Sequence, residues 1–372
     1  MLHRIVVGLL LTLFLIPVTT IRAADEADSR AIEQAVAKGI NFLKVKGQAD
    51  DGSYSSFAGI GPTALVVTAL LRSGVSPDDP AVAKSLKYLE KTVREDGGFY
   101  GEGSTHRNYE TCLTMLALAE ANRDGRYDSL LKKAESFVKE LQWDKGEDQD
   151  PSDVAYGGAG YGRSKRPDLS NTSFMIDALK ATGNDYNDEA IQRAIIFISR
   201  CQNLETEHNT TEFAAKNPDG GFYYTPAAGG SSQAGETDAG GLRSYGSMTY
   251  AGLKSMIYAG VKPDDPRVKA AVEWVQKHYS LEENPGMGDS GLYYYYHLFG
   301  KALDAIGQEQ FTDASGKTHH WRAELAKELI SRQQADGSWV NENSRWLEGD
   351  ANLVTGYALL ALTYCQPKSE QK

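Results

Sequence analysis

Five acids, Glu110, Asp168, Asp238, Asp289 and Asp350, fall where a polar turn gives way to a nearly uncharged, small-residue and apolar stretch. A carboxyl group held out of water at such a place can stay protonated and act as a general acid; left in water, it caps the helix that follows. Asp289 and Asp350 are the first candidates, with Glu110 next and His297 as a candidate base. Each also has a plain reading, as a first-turn carboxylate facing the helix dipole or as a satisfied core histidine. The second chemical feature is aromatic: Tyr293-Tyr294-Tyr295-Tyr296 runs directly into His297, and Tyr245, Tyr250 and Trp346 stand near other turns. Four consecutive helical residues point to all sides, so at least one ring should face a central cavity and another an outer layer. Electron-rich ring faces can stabilise a cation, although aromatic side chains more often serve burial.

The elements that position these groups are announced by a repeat. Asp51-Gly52-Ser53-Tyr54, Asp96-Gly97-Gly98-Phe99, Asp219-Gly220-Gly221-Phe222 and Asp336-Gly337-Ser338-Trp339 share one pattern, and Gly157-Gly158-Ala159-Gly160-Tyr161 and Asp289-Ser290-Gly291-Leu292-Tyr293 are looser copies. Repetition at this spacing marks stacked units that cannot bury their apolar faces alone. Aspartate is expected to cap the next element, glycine to supply a special backbone conformation, and the aromatic to pack the turn on its neighbour. Between turns the pattern is helical and paired. Amphipathic, charged helices are expected at about 28–46, 79–94, 127–143, 187–202, 264–279 and 320–334, and apolar helices at about 61–73, 107–122, 170–182, 244–259, 291–306 and 351–365. Six such pairs make about twelve helices, which close most naturally into an all-α (α/α)6 toroid over 28–366. Longer loops are expected at 143–169, 203–243 and 308–319.

Arg4 followed by the apolar run 5–18 and small residues up to Ala23 has the order of a secretory signal, with cleavage after Ala23 and a secreted or periplasmic destination. Removing 1–23 takes the formal charge from -11 to -13. That acidity argues against nucleic acid or polyanionic sugar as partner. Cys112, Cys201 and Cys365 lie in apolar helical stretches and read as packing thiols, not a disulfide framework.

Gln333-Gln334-Ala335-Asp336-Gly337-Ser338-Trp339 resembles the QW repeat of squalene cyclases, and Tyr245-Gly246-Ser247-Met248-Thr249-Tyr250-Ala251-Gly252-Leu253 is similar to the inner-helix signature of prenyltransferase β subunits. The resemblance to the terpenoid cyclase and protein prenyltransferase superfamily covers essentially the whole mature chain, and it implies an (α/α)6 barrel. It implies chemistry less directly. The Asp-x-Cys pair and histidine of the prenyltransferase zinc site would fall on Asp289, Gly291 and Leu353, so two of three ligands are missing, and neither metal nor cofactor is implied. The Asp-x-Asp-Asp acid of squalene-hopene cyclases has no counterpart. Three functions remain: a cyclase-like toroid whose pocket, lined by Tyr245, Tyr250, Tyr293 to Tyr296 and Trp346, takes an isoprenoid-like lipid; a binding or scaffold toroid; and a carbohydrate-active toroid with Glu110 opposite Asp289. Arg107, Arg163, Arg243, Lys254 and Arg345, expected near inner openings or turn loops, could together hold an anionic head group.

Overall fold

A computed structural model describes residues 18–162 and 166–366, with side chains from residue 29 onward. Most of the apolar leader, and Arg163, lie outside the described residues. Thirteen helices follow in chain order: α1 (Val18–Phe42), α2 (Gly61–Arg72), α3 (Pro80–Glu90), α4 (Arg107–Ala121), α5 (Asp128–Glu140), α6 (Leu169–Ala181), α7 (Glu189–Arg200), the short α8 (Glu212–Lys216), α9 (Gly246–Tyr258), α10 (Pro266–Lys277), α11 (Leu292–Ile306), α12 (Trp321–Ser331) and α13 (Ala351–Thr363). The loop at 308–319 is an antiparallel pair, β1 (Phe311–Thr312) with β2 (Thr318–His319), and it is the only sheet among the described residues. No helix there is long and apolar enough to cross a membrane.

Helices α2, α4, α6, α9, α11 and α13 are the ones with few charges, and each packs on the next, with α13 returning to α2. They form a closed inner ring because residues apolar on every face need neighbours on every side. The amphipathic helices cover it: α3, α5, α7, α10 and α12 each follow and pack on an inner helix, while α1 covers α13 and so seals the ring. Asp79, Asp188 and Asp265 cap α3, α7 and α10 by accepting from backbone N–H groups, two of them just before a proline.

The repeated turn works differently from the expected helix cap. Asp51, Asp96, Asp219 and Asp336 each accept the N–H two residues on, folding onto their own turn. The glycine has φ of +93° at Gly52, +89° at Gly97, +80° at Gly220 and +93° at Gly337. A Cβ there would stand 2.5–2.8 Å from a carbonyl oxygen of an outer helix, so glycine is required twice over. The aromatic is fully buried, and its N–H donates to a threonine hydroxyl in the inner helix that follows: Tyr54 to Thr63, Phe99 to Thr111, Phe222 to Thr249 and Trp339 to Thr355. The looser copy does the same, from Ala159 to Thr172.

Candidate functional site

All six inner helices run parallel, so the ring has one end where they start and one where they finish. At the starting end four rings meet: Tyr109 of α4, Phe174 of α6, Tyr294 of α11 and Tyr357 of α13. Tyr109 sets its edge on Phe174 at 5.3 Å, Phe174 stacks on Tyr294 at 6.1 Å, and Tyr294 tilts on Tyr357 at 5.7 Å. Helices α6 and α11 are not neighbours in the ring, so the Phe174–Tyr294 pair spans its lumen. The Tyr294 hydroxyl, 3.0 Å from Ser170 Oγ, does so again. Tyr109 and Tyr294 keep part of their surface open, and burial of its hydroxyl pushes Tyr109 up to about 12.

Of the tyrosine run, only Tyr294 makes these lumen contacts. The hydroxyls of Tyr295 and Tyr296 donate to the carbonyls of Ser280 and Leu281 in the loop after α10, and Tyr293 packs its ring on Tyr296 at 5.7 Å. Tyr250 is buried against Tyr295 and Phe299. Tyr245, also buried, precedes α9, and Trp346 is 47% exposed on the rim with the Arg345 guanidinium 4.2 Å over its ring. His297, one turn below Tyr294, lies between Tyr357 and Tyr364 with its Nδ1 unpartnered. Burial, with Lys301 and Arg72 nearby, pushes it well below the usual histidine range and holds it neutral.

The acids at this end are mostly engaged by their own turns. Asp350 caps α13 through Leu353 N–H and accepts from Ser55 Oγ at 2.8 and 2.9 Å. Glu110, buried, accepts from Ile60 and Gly101 N–H, tying two turns together. Asp289 is exposed and takes the side chain of Asn343, and Asp238 is exposed in its loop. The cap of α11 comes from elsewhere: Glu348, 1% exposed, accepts from Tyr294 N–H at 2.8 Å and Asn341 Nδ2 at 2.7 Å. No local pattern announced it, because the donor helix is more than fifty residues away. Burial raises its carboxyl. Asp168 stands apart from the others: 2% exposed at the start of α6, it accepts from the N–H and Nδ2 of Asn171 and from Tyr224, yet burial outweighs these bonds and raises its carboxyl to about 6. Asp168 and Glu348 are thus two acids at this end whose carboxyls burial raises.

Lys254 is not at this end. It lies in the last third of α9, fully buried on Asp177 of α6. The prenyltransferase zinc arrangement does not fit either: Gly291 precedes α11 with φ +67° and Leu353 is buried, leaving Asp289 as one ligand. Among the described residues no three His, Cys, Asp or Glu side chains converge as a metal set.

Residues 56–226 match the family model of the squalene-hopene cyclase C-terminal domain. A probable squalene–hopene cyclase of Sinorhizobium fredii is 25% identical over 49% of the chain, and the squalene–hopene cyclase of Zymomonas mobilis is 27% identical over 42%. These matches, with the fold, support a terpenoid cyclase-like superfamily. The matches span only 31% and 24% of those two relatives' lengths. A solved structure similar to this terpenoid cyclase-like toroid is that of the type II terpene cyclase MstE from Scytonema. A variant with geranylgeranyl dihydroxybenzoate bound as substrate aligns at 14% identity and a TM-score of 0.57, over 91% of this chain and 99% of that one. Another, holding merosterolic acid A as product, aligns at 14% identity and 0.55, over 91% and 98%. The likeness of fold is thus to a whole chain, while the sequence likeness is to part of longer ones.

Proposed function

We propose that this protein is an exported terpenoid cyclase-like toroid that binds an isoprenoid-like lipid at the starting end of its inner ring. The observation that carries the reading is the set of rings, Tyr109, Phe174, Tyr294 and Tyr357, meeting across the lumen, with Tyr109 and Tyr294 keeping part of their surface open while Phe174 and Tyr357 are buried. Apolar rings exposed inside a closed ring are where a lipid chain gains most from leaving water, about 25 cal/mol per Å2. The isoprenoid ligand named for the Scytonema structure supports the choice of class. Export rests on the leader pattern of residues 1–23.

The test is binding of squalene or geranylgeraniol followed by titration calorimetry in detergent. Tyr294→Ala removes roughly 100 Å2 of ring, about 2.5 kcal/mol, and should weaken binding some fiftyfold, with Tyr294→Phe close to wild type. Equal affinity in all three proteins would reject these rings as the site. A second reading, cyclisation, is favoured by Asp168, whose carboxyl sits at about 6 beside Tyr224. Asp168→Asn separates the two: an enzyme keeps the lipid and stops forming product, while a binding module is unchanged.

A further inference from the structure

The finishing end of the inner ring carries a cavity of about 610 Å3, lined among others by Arg72, Asp177, Lys180, Tyr258, Lys301 and Tyr364. Three ammonium groups converge on one ring there: Lys180, Lys254 and Lys301 place their nitrogens 5.2, 5.5 and 5.8 Å from the Tyr258 centroid. One carboxylate serves them. Asp177 takes Lys254 at 2.7 Å and Lys301 at 2.6 Å. The remaining acids of the cavity wall have cations of their own, Glu120 on Arg72 at 2.5 Å and Asp304 on Arg322 at 2.9 Å, and Arg322 also takes Glu309. The cluster therefore carries surplus positive charge inside a chain of formal charge -11.

The plain explanation would be that these lysines cap the helix ends, whose carbonyls carry partial negative charge. The hydrogen bonds weigh against it. The last carbonyls of α6 are taken by the N–H groups of Thr182, Gly183 and Asn184, those of α9 by Ala259, Gly260 and Val261, and those of α11 by Gly307. Lys254 spends its donors on Ser173 and Asp177 and lies at 0% exposure, so it sets the field without reaching the cavity. Lys301 is enclosed at 5% but borders the cavity, and Lys180 is exposed at its edge. Arg72 donates to the Tyr364 hydroxyl, which frees that hydroxyl's own proton for another acceptor.

We propose that this cavity binds the oxyanion of a small molecule, a carboxylate or phosphate group, held by Lys301 and Lys180 above the Tyr258 ring with Arg72 and Tyr364 along the wall. Such donors make charge-assisted hydrogen bonds, stronger than neutral ones and partly screened from salt by the enclosure. Burial first, and repulsion from neighbouring cations after it, lowers the proton affinity of Lys254, to about 8, and of Lys301, despite the Asp177 carboxylate, and a bound anion would favour their charged forms. The inference is independent of what the opposite end of the ring binds.

Calorimetric titration of the full chain with sodium phosphate, sodium succinate and sodium chloride at matched ionic strength tests it. Saturable binding of phosphate or succinate, absent with chloride, is expected, and which of the two binds tells the phosphate source from the carboxylate source. Lys180→Met, an exposed change that leaves the fold intact, should weaken that binding about tenfold, the loss of one charge-assisted bond. Lys301→Met should abolish it, with binding of squalene unchanged. Identical behaviour of the three salts, or undiminished binding by Lys180→Met, would overturn the proposal.

Discussion

At the residue scale, buried charge is the sharpest feature, and each buried group has its own pH signature. Asp168 has a folded carboxyl raised to about 6 against an ordinary 3.8. The folded state holds the proton more tightly than the unfolded chain, so this group's contribution to stability is greatest below about 4 and is lost as pH rises through 6. Asp168→Asn, which keeps an acceptor for the Asn171 N–H, should therefore flatten the fall in melting temperature between pH 4 and 6. An unchanged pH profile would place the proton elsewhere. Asp177 runs the other way: two ammonium partners hold it near 2 despite burial, so its contribution is present above about 4 and lost as pH falls toward 2. Asp177→Asn strands two buried cations and should cost about 3–5 kcal/mol at neutral pH, measurable by urea unfolding. Neither role was legible in the sequence. Asp168 could be seen as a cap before Leu169, but its depth could not, and Asp177 sits inside an otherwise apolar stretch with partners on two other helices.

At the scale of the element, the turns were legible because their chemistry is local. Gly52, Gly97, Gly220 and Gly337 announce a left-handed backbone whatever surrounds them, and a Cβ on Gly97 would stand 2.8 Å from the Lys133 carbonyl. Gly97→Val is expected to destabilise the fold by about 1–3 kcal/mol through backbone strain, before any clash. The partner of the turn was harder to see. Thr111 receives the Phe99 N–H from twelve residues away and Thr249 that of Phe222 from twenty-seven, so no fixed spacing points to them. Thr111→Val keeps shape and removes a hydroxyl that both accepts from the Phe99 N–H and donates to the Phe99 carbonyl, leaving that buried N–H without a partner. A loss of about 1–3 kcal/mol is expected, and a melting temperature equal to wild type would remove the threonine from the account of the turn. The helix boundaries were read to within a few residues in most cases, since charged and apolar faces alternate cleanly; which of the tyrosines on α11 faces the lumen was not, because four adjacent rings leave the rotation of the helix open.

At the scale of the whole molecule, a ring differs from an open stack in having a seam that must close, and here the seam runs along both sides of α13. On one side α1 lies over it, and a Cβ on Gly39 would come within 2.9 Å of the Trp339 ring and 3.1 Å of Leu359. On the other side α13 meets α2, where a Cβ on Gly356 would reach Leu65 Cδ2 at 2.5 Å. Neither glycine has a positive φ, so alanine suits both backbones and, by helix propensity alone, should stabilise each helix by roughly 1 kcal/mol. Close packing opposes that gain: an extra methyl driven into a filled contact costs about 1–3 kcal/mol. The clash at Gly356 meets a side-chain methyl between two inner helices locked by their other neighbours, so packing should win there and Gly356→Ala should melt lower than wild type. Gly39 faces a flat indole from an outer helix that has solvent behind it and can give way, so Gly39→Ala should lose less. If both variants melted higher than wild type, propensity would be deciding at the seam, and α13 would pack there more loosely than a closed ring requires.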